Sequence, residues 1–174
     1  MIEVPFLGGL EKDQFDNWLR SKPIPVKVLG GGQFEFILEG YEKDEIKEDF
    51  HQAIENFLSI DEKVLKESEN YIYQYYKDIF VQLVPGDDWY IEIERPEKVW
   101  KHIQFGNTPI VTRRPYGDKD IYISLECSCD WEQEHGLQIV FKQGLRVNKV
   151  GPYDGHLTNS DAYANEKLEN VIYK

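Results

Sequence analysis

Only two of the 174 residues are cysteine and one is methionine. No apolar run approaches the ~18 residues that a spanning helix needs, so a membrane protein is not expected. The thiols stand at Cys127 and Cys129, and a Cys-x-Cys bridge would be strained and would close almost no loop. Two reduced, unbridged thiols are the expectation, in a cytoplasmic setting. Positive charge is also scarce, with 20 Lys and Arg against 32 Asp and Glu and a net charge of −12. Phosphate contacts need a basic face, so the composition speaks against nucleic acid as a partner. The N-terminus, Met1-Ile2-Glu3-Val4-Pro5, lacks a basic stretch followed by an apolar one, and no signal peptide is expected. No Walker loop, G-x-S-x-G, G-x-G-x-x-G or His-Glu-x-x-His occurs, so the common nucleotide, acyl-transfer and zinc-protease chemistries have no support.

What the chain does have is aromatic bulk: 4 Trp, 11 Tyr and 9 Phe, with 41% hydrophobic residues overall. Rings bury large areas, and a core for one domain spanning 1–174 follows. Phe15, Trp18 and Leu19 have i, i+3, i+4 spacing, which predicts a short helix. Val26 and Val28, then Phe34, Phe36 and Leu38, alternate with polar residues around Gly30-Gly31-Gly32, which predicts a hairpin. Ile46, Phe50, Ala53, Ile54 and Phe57 form a helical stripe, and a second runs from Val64 through Tyr71, Ile72, Tyr75 and Tyr76 to Ile79. Ser59 and Glu62 have capping-box spacing between the two. Helices are therefore predicted over residues 44–57 and 61–79, packed as a pair. Between Glu42 and Glu69 there are ten acids and four bases, half of the protein's excess charge.

The remainder alternates with period two. Strands are predicted over residues 99–105, 110–114, 121–125, 137–141 and 145–147, with a bulge at Lys149-Val150. Helices set between an N-terminal hairpin and C-terminal strands predict an α+β fold with an antiparallel sheet.

Chemistry-bearing residues concentrate in two segments, Cys127 to Gly136 and Gly151 to His156. A two-residue turn at Gln143-Gly144 would set Lys142 against Leu145 and Gly136 against Gly151. Both segments then meet at one end of the sheet. The candidate cluster is Asp130, Trp131, Glu132, Glu134, His135, Asp154 and His156. Its carboxylates and imidazoles can hold a divalent metal ion or exchange protons. The same acids can equally cap backbone amides while Trp131 packs over the sheet end, and this structural role is the favoured one. A zinc site built from Cys127, Cys129, His135 and His156 lacks the usual C-x(2–4)-C spacing. His51 and His102 have no motif and read as packing or surface residues.

The stretch Cys127-Ser-Cys-Asp-Trp-Glu-Gln-Glu-His-Gly, followed by Gly151-Pro-Tyr-Asp-Gly-His, resembles an uncharacterised bacterial family, a domain of unknown function with W-E-x-E-H-G and D-G-H motifs. Asn56 to Asp61 and Val99 to Ile103 resemble it too. The resemblance implies a cytosolic bacterial protein and no particular reaction. Small acidic proteins of this kind are similar to the immunity partners of bacterial toxins. The leading expectation is a non-enzymatic binding protein with a basic protein as partner and no cofactor. The competing one is a metal-dependent hydrolase centred on the carboxylate and histidine cluster.

Overall fold

The first twenty residues form strands rather than a helix: β1 (Ile2–Val4), β2 (Gly8–Lys12) and β3 (Leu19–Arg20). In this computed structural model, which describes residues 1–174, Asp13 and Asp16 accept hydrogen bonds from the backbone N–H groups of Phe15 (2.7 Å) and Trp18 (2.9 Å). Such local bonds offer the backbone an alternative to the helix. Leu19 pairs across to Leu38 and is buried, while Phe15 stands in solvent.

The glycine-rich hairpin is present as β4 (Ile24–Val26) and β5 (Gly32–Phe34), joined through a 3-10 turn at Lys27–Leu29. Its expected second strand divides, because β6 (Ile37–Glu39) leaves the hairpin and enters the main sheet. Helix α1 (Lys47–Ser59) buries the stripe Phe50, Ala53, Ile54 and Phe57. The helix predicted over residues 61–79 is broken into α2 (Glu62–Lys66) and α3 (Glu69–Phe80). Buried Ser68 sits at the break, and its hydroxyl donates to the carbonyl of Leu65 (2.6 Å). The capping box does not form. Asp61 caps α2 by accepting from Lys63 N (2.9 Å), and the Ser59 hydroxyl turns back to the Glu55 carbonyl (2.7 Å).

Residues Pro96–His102 are 3-10 helix, so the strand expected from residue 99 starts only at β7 (Ile103–Phe105). Proline suits the first turn of a helix, since its missing N–H would be unpaired there anyway. Then come β8 (Ile110–Arg113), β9 (Ile121–Cys129), β10 (Leu137–Lys142), β11 (Arg146–Gly151) and α4 (Asn159–Tyr163). The main sheet runs β1-β2-β3-β6-β8-β9-β10-β11, with β7 also paired to β9. Every pairing is antiparallel except β6 with β8. The fold is α+β with a mostly antiparallel sheet.

The two faces of this sheet do different things. On one, Ile121, Ile123, Leu125, Leu137, Ile139 and Phe141 join the apolar core under the helices. Phe57 of α1 meets Phe141 edge-on (4.9 Å), and α3 lies along β11. On the other, Tyr122, Ser124, Gln138, Asn148 and Lys149 are also buried. The segment after β11 covers them. Its carbonyls at His156 and Leu157 accept from Gln138 (3.1 Å) and Asn148 (3.0 Å), and Ile172 O accepts from Val150 N (2.8 Å) at the sheet edge. Arg114 is buried beneath the same segment and donates through Nε and Nη2 to Asp161 (2.8 Å each) and also to Glu169.

Cys127 and Cys129 are buried on the helix face and are free. Burial pushes both thiols up to about 12. Alkylation in the folded protein should therefore be slow, with two groups reacting promptly once it is unfolded, because only the thiolate attacks. Prompt reaction without denaturant, or fewer than two groups after it, would contradict this placement.

Candidate functional site

The turn between β9 and β10 is built around one carboxylate. Glu132 is buried at 5% exposure, and its two oxygens accept from the backbone N–H of His135 (2.7 Å) and of Glu134 (3.2 Å). Gly136 closes the turn with φ +65°, and a Cβ there would lie 2.4 Å from the Cys127 carbonyl oxygen. The position admits only glycine. From α3, the Tyr75 hydroxyl donates to the Gly136 carbonyl (2.9 Å) and lies 3.5 Å from Glu132. Burial first, and then the neighbouring Cys129 and Glu132, push this hydroxyl far above its ordinary range, so it remains a donor.

Trp131, immediately before, is fully buried and meets the rings of Tyr75 (5.9 Å) and Tyr76 (6.0 Å) edge-on. Its indole N–H has no partner. Asp130 lies on the other side of the turn, where its carboxylate meets His102 Nδ1 (3.0 Å). His51 is likewise engaged, with the Tyr41 hydroxyl (2.7 Å).

Glu134 and His135 are exposed. His135 Nδ1 is 3.4 Å from Glu132, and one ligand atom from each of Glu132, Glu134 and His135 lies within 4.8 Å of the others. They line a cavity of 310 Å³ together with Tyr75, Trp89 and Pro152.

The second segment arrives beside the first, since Tyr153 N donates to the His135 carbonyl (3.3 Å). The register that brings it there differs from the expected one. Gln143, Gly144 and Leu145 form a three-residue turn, Lys142 faces Arg146, and Gln138 faces Gly151. The turn is shaped by α1: a Cβ on Gly144 would lie 2.1 Å from the Ala53 carbonyl oxygen, and Asn56 donates to the Gln143 carbonyl (2.9 Å). The strand irregularity falls where Val140 and Phe141 face Lys149 and Val147, leaving Asn148 as the extra residue. It is one residue before the predicted position.

Beyond β11, Asp154 and His156 lie away from Glu132. Asp154 accepts from Lys149 Nζ (3.0 Å) and from its own loop at His156 N (2.8 Å). His156 Nδ1 stands 3.5 Å from Asp154. Lys149 is buried at 1% exposure and also donates to Gln138 (2.9 Å), which in turn donates to Ser124 (2.9 Å). Burial holds the Lys149 ammonium below its ordinary range, against the opposing pull of Asp154. So Trp131, Glu132, Glu134 and His135 gather at the helix side of the sheet end, while Asp154 and His156 belong to a network on its opposite face. Asp130 joins neither.

The sequence reading places Tyr75 in a helical stripe and Lys149 at a bulge, but joins neither these two nor Gln138 and Ser124 to the candidate cluster. Lys149 carries a faint signal, as a basic residue inside the one strand whose alternation slips.

No helix is long and apolar enough to cross a membrane. No curated protein and no solved structure matches the chain. A family model described as a domain of unknown function (DUF6985) matches residues 6–157, which include both segments of the site, and the chain therefore belongs to that family.

Proposed function

We propose that this protein acts by binding rather than by catalysis, and that its partner is a basic protein. The observation that carries this reading is the solvent face of α1 and the turns around it. Glu42, Glu45, Glu48, Asp49, Glu55 and Glu62 are exposed. Glu42 is paired with Lys12 (2.7 Å) and Asp49 with Arg113 (2.9 Å), whereas Glu45, Glu48 and Glu62 have no ion-pair partner. An acidic field of this kind speeds encounter with a basic surface and aligns it. The likeness of small acidic proteins to immunity proteins makes a basic toxin the partner class to test first.

The competing reading, a metal-dependent hydrolase, rests on the approach of Glu132, Glu134 and His135. It has less support, because Lys149 draws Asp154 to the other face, so the carboxylate and histidine cluster that a hydrolase would use does not assemble as a whole.

The test is association kinetics with the purified partner across a salt series. Association should slow by about tenfold or more from low to high salt, with dissociation little changed. The triple variant Glu45→Lys/Glu48→Lys/Glu62→Lys should slow association similarly at low salt. Association that ignores both salt and charge reversal would overturn the proposal.

A further inference from the structure

The two carboxylates at the end of β9 are close together and unbalanced. Glu132 and Glu134 present ligand oxygens within 4.8 Å of each other and of a His135 ring nitrogen, and neither forms an ion pair with lysine or arginine. Like charges at this separation repel unless a cation lies between them. We infer that Glu132, Glu134 and His135 form a binding site for one divalent first-row transition-metal ion at the mouth of the 310 Å³ cavity.

The donor set is specific in kind. Two carboxylates offset the charge of a divalent ion, and an imidazole favours zinc or a neighbouring transition metal over magnesium or calcium. Donors at about 2.0–2.2 Å from such an ion stand about 3–4 Å apart, so a modest closure of the group is enough. The residues free to make it are Glu134 and His135, both exposed. Glu132 is the fixed member, because the backbone amides of Glu134 and His135 hold its carboxylate in place. Each carboxylate oxygen has a second lone pair, so these bonds orient the ligand without exhausting it. Three protein ligands leave at least one position for water or for a group entering the cavity past Trp89 and Pro152. The site does not depend on a basic partner, so the two proposals stand or fall separately.

Titration of zinc chloride into chelator-stripped, dialysed protein by calorimetry tests the inference without any partner. One ion per chain should bind, and saturating zinc should raise the melting temperature. Affinity should drop on acidification, because a ligating imidazole must lose its proton. His135→Ala and Glu134→Gln change exposed side chains and should leave the circular dichroism spectrum unaltered. Each should weaken zinc binding by about tenfold or more, since both supply a ligand. Magnesium should bind at least tenfold more weakly than zinc. The inference is overturned if zinc shows no saturable binding, if both variants bind it like the parent, or if magnesium competes on equal terms.

Discussion

Trp131→Ala should lower the unfolding free energy by about 4 kcal/mol, in the range of about 3–5 kcal/mol for emptying a buried tryptophan site. The side chain is fully buried and closes the core between β9 and the tyrosines of α3. Its loss removes the ring contacts and leaves a cavity under Tyr75, the residue that also holds the Gly136 carbonyl. Trp131→Phe should cost far less, because it keeps most of the volume and deletes an indole N–H that has no partner. Urea unfolding of the three proteins decides the matter. Equal costs for alanine and phenylalanine would mean that packing is not what Trp131 contributes.

Arg114→Leu should cost about 3 kcal/mol, the low end of the ~3–5 kcal/mol seen when one member of a buried pair is removed. Arg114 has a side-chain exposure of 2%, but Asp161 and Glu169 are exposed at 20% and 36%, so water can partly re-solvate them. The guanidinium beside them holds both carboxyls below the usual carboxylate range. A group depressed in the folded state stabilises it fully above the unfolded value, about 4 for a carboxyl, and the effect fades as pH falls through the folded value. The parent should therefore lose stability on acidification below about pH 4 more steeply than Arg114→Leu. Limited proteolysis should cut the variant after residue 157 sooner than the parent, because Arg114 ties that segment to the sheet. An acid limb of identical steepness in the two proteins would remove the ion pairs from the account of stability.

Residues whose surroundings are local were legible from the chain. The stripe Phe50, Ala53, Ile54 and Phe57 forms α1 because a period of 3.6 admits one buried face. Ile121 to Leu125 forms a strand for the same reason with a period of two, and the antiparallel sheet follows from short connections. The meeting of the Trp131–His135 and Asp154–His156 segments was legible too, because the β10–β11 hairpin carries one to the other. A spacing argument failed where polar side chains took over the backbone. Asp13 and Asp16 replaced a helix by a turn, and Ser68 stands where one long helix divides.

What tertiary structure alone decided is which face each polar residue serves. The β10–β11 turn gained a residue because Gly144 docks against the backbone of α1, a contact between positions ninety residues apart in the chain. That longer turn and the bulge at Asn148 each shift β11 by one residue against β10, so Gly151 faces Gln138 rather than Gly136 and Lys149 stays on the face opposite the helices, where it holds Asp154. Side chains alternate across a strand, so one such shift exchanges the faces and the second restores them. The sequence by itself determined that carboxylates and histidines would crowd one end of the sheet. Division of that crowd into a Glu132, Glu134 and His135 group and a Lys149-centred network was decided by contacts made after β11, where the buried Lys149 ammonium and the His156 backbone N–H hold Asp154.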